Sequence, residues 1–187
     1  MGKASGYDFG VKCFMTDNDG RKIHEPEFYK YSLGELRKKQ RALSRKEDGS
    51  NNRKRPLRDL ERTHRKVANQ RKDWLNKLAL ELASGNATIC IEDLNIKAWQ
   101  RIWGRKVSDH GISACIRSLE NACAKTGSTL VKIGRRKPSS KTCHDCGTIY
   151  HKLQLKDREW TCPVCGKFHD SDTNAAKISG IWGLHAY

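Results

Sequence analysis

The sequence predicts an α/β fold built on a mixed sheet, and three observations carry that prediction. Strand signals of two kinds lie on either side of a long helical stretch: an alternating run at residues 7 to 15 and a nearly continuous apolar run at residues 87 to 92. Between them, apolar residues recur in threes and fours from residue 33 to 82. Near the C-terminus, two Cys-x-x-Cys pairs mark a small metal-organised insert. With 36% hydrophobic and 31% charged residues, a real core is possible only if the charge is concentrated on part of the surface.

In the first run Tyr7, Phe9, Val11, Cys13 and Met15 point one way, with Asp8, Gly10 and Lys12 opposite. Asp17-Asn18-Asp19-Gly20 has turn chemistry, so a hairpin into a second strand near residues 21 to 25 is expected. Leu33, Leu36, Gln40 and Leu43 then form one helical seam. Leu57, Leu60, His64, Val67, Arg71, Trp74, Leu78 and Leu82 form a second, with a break between Gly49 and Pro56. Two helices joined by a polar loop make an antiparallel hairpin over residues 33–83.

The run Ala87 to Glu92 reads as a central strand covered on both faces and ending in two carboxylates. Residues 104 to 108 read as loop. A helix from about Ser108 to Lys125 follows, closed by Gly127, and Ser128 to Ile133 alternates as a further strand. From Asp170 a last helix carries Ala175, Ala176, Ile178 and Ile181.

Charge narrows the function. Lysine and arginine number 37 against 21 acidic residues, a net +16. Residues 35 to 77 alone hold sixteen basic and six acidic side chains, an excess of +10. Such a run can be a solvated helix face, but its local concentration favours a polyanion, because each cation near a phosphate releases condensed counterions. A membrane partner is disfavoured: there is no amphipathic basic helix with an aromatic anchor, and no stretch approaches the ~20 apolar residues of a spanning helix. The N-terminus shows neither a signal-peptide pattern nor a myristoylation motif, Gly6 standing where Ser or Thr is required. A soluble, cytoplasmic, nucleoid-associated protein is the expectation, and there the eight cysteines stay reduced.

Cys143, Cys146, Cys162 and Cys165 form two knuckles separated by fifteen residues, the spacing of a tetrahedral four-cysteine zinc site. Gly147 and Gly166 follow the knuckles and permit the tight turns. Four thiolates leave no open position, so the zinc is structural; whether the ribbon also touches nucleic acid is open. His144 is a poor ligand beside four thiols. Cys13, Cys90, Cys115 and Cys123 are expected to be small core residues.

Three acidic residues are placed where charge needs a reason. Asp8 projects opposite the apolar side of its strand, Glu92 ends the buried strand, and Asp172 opens the last helix. Hard divalent ions take carboxylates and water, so one reading is a catalytic metal site. The alternatives are a helix N-terminal charge at Asp172 and a solvated edge residue at Asp8.

Several stretches together resemble the C-terminal half of the TnpB family, transposon-encoded RNA-guided DNA endonucleases related to type V CRISPR effectors. They are Gly6-Tyr7-Asp8-Phe9-Gly10-Val11-Lys12, Leu43-Ser44-Arg45-Lys46, Ala68-Asn69-Gln70-Arg71-Lys72-Asp73, Ile91-Glu92-Asp93-Leu94-Asn95, Pro138-Ser139-Ser140-Lys141-Thr142-Cys143 and Asp170-Ser171-Asp172-Thr173-Asn174-Ala175-Ala176. The resemblance implies a RuvC-like, ribonuclease H-like domain at 1–138 and 169–187, with a zinc ribbon inserted at 139–168. It implies that Asp8, Glu92 and Asp172 hold Mg2+ or Mn2+, with Asp93 and Asp170 as the neighbours most easily confused with them. It also implies a DNA substrate, and a guide RNA handled by an N-terminal half that this sequence lacks. Two departures stand out: Ser171 occupies a position commonly basic in the family, and Gly134 to Pro138 lacks the usual aromatic residue. A rival reading is a catalytically silent nucleic-acid-binding module, and a second is a purely structural domain stapled by zinc.

Overall fold

The computed structural model of the chain describes residues 3–104, 110–134, 138–154 and 156–184. It divides into two compact units, Met1–Glu25 with Leu78–Tyr187, and Pro26–Lys77.

The first unit is organised by a five-stranded mixed sheet in the order β3-β2-β1-β4-β5. Strand β1 (Ala4–Phe9) pairs antiparallel with β2 (Met15–Asp17), which pairs antiparallel with β3 (Lys22–Ile23). On its other side β1 runs parallel to β4 (Thr88–Glu92), and β4 parallel to β5 (Thr129–Ile133). Ile89, Cys90 and Ile91 are fully buried, as a central strand covered on both faces requires. The expected α/β class with a mixed sheet is the one observed.

The strand expected over residues 7 to 15 is corrected. It is the end of β1, a turn at residues 10 to 14 and the start of β2, because the chain folds back with Phe9 opposite Met15. Phe14, in the turn, is buried and packs edge-on against Phe9 at 5.8 Å. Alternation could not reveal that turn, since apolar residues continue through it.

Helices α1 (Phe28–Ser44) and α2 (Asn51–Gly85) form the expected pair, but α2 starts earlier than Pro56 suggests. Pro56 is the sixth residue of the helix, past the four N–H groups that are free at its start, so the helix runs through it at the loss of one intrahelical hydrogen bond. Within the second unit Leu36, Leu43 and Leu60 form one cluster with Tyr29. The seam passes through Thr63 rather than the exposed His64: the Thr63 hydroxyl donates to Asp59 O at 3.1 Å and accepts from Lys39 Nζ at 2.6 Å.

Helix α3 (Ile96–Trp103) has no counterpart among the expected elements, although Asn95 is a helix-capping residue type; its side chain accepts from the Ala98 N–H at 3.1 Å. Residues 105–109 of the expected loop and helix start lie outside the described residues, as do 135–137 of the Gly134 to Pro138 segment. Helix α4 (Ile112–Thr126) ends at Gly127 as expected and buries Ile112, Cys115, Leu119, Ala122 and Cys123. Cys13, Cys90, Cys115 and Cys123 are all buried, and burial pushes the Cys115 thiol up to about 12.

The last helix, α5 (Ser171–Leu184), lies across the sheet on β1, β4 and β5. Of the four residues expected on this helix, Ala175, Ala176 and Ile178 are buried and Ile181 is 39% exposed; Ser179 and Gly183 complete the inward face. Small residues are needed there because the backbones approach closely. A Cβ at Gly6 would overlap the Ala176 carbonyl and the Gly180 backbone, and one at Gly183 would overlap the Cys90 side chain.

Gly6→Ala is therefore expected to destabilise the fold by more than ~1–3 kcal/mol, since backbone rather than a movable side chain blocks the methyl. Urea unfolding of wild type and variant measures the shift.

Candidate metal centre and carboxylate cleft

The four cysteines converge. All four Sγ atoms lie within 4.8 Å of one another, with Cys143 to Cys165 at 3.7 Å and Cys146 to Cys162 at 3.6 Å. A tetrahedral ion with Zn–S bonds of ~2.3 Å holds its sulfurs ~3.8 Å apart, close to the two pairs at 3.6 and 3.7 Å, so the quartet fits zinc. Each knuckle is made by its own backbone: Gly147 N–H donates to Cys143 O at 2.8 Å and Gly166 N–H to Cys162 O at 2.9 Å. Both glycines adopt positive φ, 73° and 70°, which a side chain would resist.

The second knuckle sits at the turn of a two-stranded hairpin, β6 (Glu159–Thr161) with β7 (Phe168–Asp170). Trp160, Leu153 and Tyr150 pack behind the cysteines as a small core of their own. His144 is not among the quartet. His169 is an addition: it is buried, and its Nε2 lies 3.1 Å from Cys143 Sγ. A histidine preceding Asp-Ser-Asp gives no sequence signal of that contact.

Three elements bring the carboxylates together. Strands β1 and β4 are parallel neighbours with Tyr7 opposite Ile91, so Asp8 and Glu92 follow one another at the same C-terminal edge of the sheet. Helix α5 begins at that edge and supplies Asp172 from its first turn. All three line one cleft of about 300 Å³, together with Trp99, Ser139, Asp157, Arg158 and Ser171.

The electrostatics are those of crowded like charges. Burial pushes the Asp8 carboxyl well above the usual carboxylate range, the charges of Asp172 and Glu92 push it further, and Arg158 opposes them. Burial also raises Glu92, against a hydrogen bond from the Ser139 hydroxyl at 3.3 Å and with Asp93 adding to the rise. Arg158 Nη1 lies 3.3 Å from Asp172 Oδ1. Among the described residues, the carboxylate oxygens are not drawn within the 4.8 Å that encloses the thiolates. An all-oxygen donor set of half-buried, mutually repelling carboxylates fits a hard divalent cation.

The two confusable neighbours are placed differently. Asp170 caps α5, accepting from the Thr173 N–H and hydroxyl at 2.9 Å each, and pairs with Lys22 at 3.2 Å. Burial works against its charge, but these bonds outweigh it and hold the carboxyl below the usual range. Asp93 does not line the cleft; its N–H donates to Ile133 O at the end of β5. Sequence patterns do not single out Ser139 and Arg158, because only the folded ribbon brings them to the cleft.

The family described as OrfB_IS605, probable transposase, matches residues 1–102, and the Cas12f1-like TNB domain matches residues 113–178. The chain belongs to the TnpB family. Over 185 residues it is 41% identical to a Streptomyces pristinaespiralis protein named an RNA-guided DNA endonuclease, a match covering 98% of this chain and 46% of the relative. A protein of Mycobacterium tuberculosis (strain CDC 1551 / Oshkosh), also so named, is 32% identical over 185 residues, covering 91% of this chain and 40% of its own length. The chain thus spans less than half the length of these TnpB relatives. The Cas12f1 chain in a cryo-EM structure of the Cas12f1-sgRNA-target DNA complex has a TM-score of 0.64 at 18% identity, over 95% of this chain and 49% of that one. That likeness is one of fold. Among the described residues no helix is long and apolar enough to cross a membrane.

The raised Asp8 gives a pH signature. The folded chain holds this proton to higher pH than the unfolded chain, so stability falls as pH rises from the ordinary carboxylate range through the raised value. Zinc-loaded protein without added divalent ion is expected to lose Tm with rising pH across the range in which zinc stays bound. Asp8→Asn should flatten that slope and raise Tm at neutral pH, measured by thermal unfolding.

Proposed function

We propose that this chain is the nuclease part of an RNA-guided DNA endonuclease, cutting DNA with divalent metal held by Asp8, Glu92 and Asp172. The observation that carries the reading is the convergence of those three carboxylates, from β1, β4 and α5, on one cleft at the C-terminal edge of the parallel strands. Asp8 is the central ligand in this reading, since it feels both of the others. When bound, two Mg2+ or Mn2+ ions supply Lewis-acid activation of water and charge neutralisation at the departing 3′ oxygen. The products carry 5′-phosphate and 3′-hydroxyl ends. Ser139 holds Glu92 by its hydroxyl, and Arg158 offers a cation at the rim where a phosphate would enter.

We assign the ribbon at 139–168 as a zinc-stapled module within the nuclease domain at 1–138 and 169–187. The basic hairpin at 33–83 is assigned to hold single-stranded or displaced-strand DNA. Guide RNA would be handled through the segments that the longer relatives have and this chain does not span. We place the chain's site of action in the cytoplasm, at the nucleoid.

The test is cleavage of labelled single-stranded DNA by zinc-loaded protein in Mg2+ or Mn2+. The wild type should cut, and Asp8→Ala or Asp172→Ala should lose at least ~10²-fold in rate. Binding without cutting by all three would support the silent nucleic-acid-binding module instead. For the arm, the exposed Arg58, Arg62 and Arg65 repeat along one side of α2. Replacing all three by alanine should lower the slope of log affinity against log salt for single-stranded DNA by ~2, measured by fluorescence anisotropy.

A further inference from the structure

We infer that Asn174 is a positioning residue that locks the Asp172 turn to the first zinc knuckle, so that the zinc site and the carboxylate cleft are linked. The inference rests on the reading of the cleft proposed above.

Asn174 is 1% exposed, and its amide faces the ribbon rather than the sheet. Its Nδ2 donates to Thr142 O at 2.7 Å, while its Oδ1 accepts from the His144 N–H at 3.1 Å. His144 Nδ1 lies 3.1 Å from the same oxygen. Thr142 and His144 flank Cys143, so the amide grips the backbone on both sides of one thiolate. Asn174 stands two residues after Asp172, in the opening turns of α5.

A second set of bonds holds the same turn from another part of the ribbon. The Ser171 N–H donates to Arg158 O at 2.8 Å and its hydroxyl to Asp157 O at 2.8 Å. His169, just before the helix, places Nε2 against Cys143 Sγ. The stretch from 169 to 174 is thereby fixed by ribbon backbone whose own path is set by the cysteine quartet.

A buried amide is a costly way to join two surfaces if adhesion alone is needed; apolar contact would serve. What it adds is direction. Two backbone bonds to one side-chain plane fix the rotation and advance of α5, and hence the position from which Asp172 faces the cleft. Loss of zinc frees the first knuckle and releases that constraint. Linkage then requires the converse: ordering of the cleft by a divalent ion strengthens the ribbon's hold on zinc.

The experiment compares Mn2+ binding by zinc-loaded wild type, Asn174→Leu and Asp8→Ala, read by the EPR signal of free Mn2+. Leucine keeps the branching and heavy-atom count of asparagine, in a somewhat larger side chain, without its directional bonds. Cobalt in place of zinc reports, by its visible spectrum, that the four-cysteine site is intact in each protein. Asn174→Leu is expected to keep the cobalt spectrum and weaken Mn2+ binding at least ~10-fold, a coupling within the usual range. Stripping zinc from the wild type should weaken Mn2+ binding similarly.

Wild-type Mn2+ affinity in Asn174→Leu, with Asp8→Ala abolishing binding, overturns this inference and leaves the cleft reading intact. Undiminished Mn2+ binding by Asp8→Ala overturns the cleft reading itself. Should the leucine variant fail to fold, Asn174→Asp is read in the same way: it keeps the acceptor for His144 and loses the donor to Thr142, and wild-type affinity in it overturns the inference.

Discussion

The close approach of helix α5 to strand β1 is the constraint on which the rest of the molecule depends. At Gly6 the helix backbone occupies the space where a Cβ would stand, and at Gly183 the same is true of Cys90 on β4. Backbones this near leave no room for the large side chains that usually fill a helix–sheet interface. The helix is held instead by alanines, glycines and a serine, and its N-terminus arrives at the sheet edge where β1 and β4 end. Asp8, Glu92 and Asp172 meet there as a consequence.

That meeting is unfavourable in itself. Three half-buried carboxylates sharing one cleft repel one another, and the burden falls on Asp8, raised by burial first and by its two neighbours second. Arg158 relieves part of it at the rim, and the Ser139 hydroxyl relieves part at Glu92. A chain selected for stability alone would not gather these charges. A cation that satisfies all three converts the repulsion into binding, which is the physical core of the proposed nuclease reading.

The ribbon contributes more than a staple. Its two knuckles have their own hydrophobic backing in Trp160, Leu153 and Tyr150. Its backbone also receives the Asn174 amide and supplies carbonyls to Ser171. The ribbon is therefore continuous, in bonding terms, with the first turns of the helix that bears Asp172. Asp170 illustrates the division of labour within that segment, capping the helix while its neighbour two residues on faces the cleft.

The sequence by itself determined the four-cysteine cluster, the central strand, the basic helical pair and the three candidate carboxylates. Those signals are local: a knuckle needs only its four residues, and periodicity needs only the chain. It could not locate the turn at residues 10 to 14, because apolar residues run through it, and it placed His64 rather than Thr63 in the α2 seam. It chose Asp172 over Asp170 only through the family resemblance; the fold adds that Asp170 caps the helix while Asp172 faces the cleft. The side-chain contacts of Ser139 with Glu92, Arg158 with Asp172, His169 with Cys143 and Asn174 with Thr142 join residues from 14 to 47 positions apart in the chain. Such pairings are decided only when tertiary structure closes the distance. The sequence named the chemistry; the packing of α5 against β1 and the folding of the ribbon decided which side chains share it.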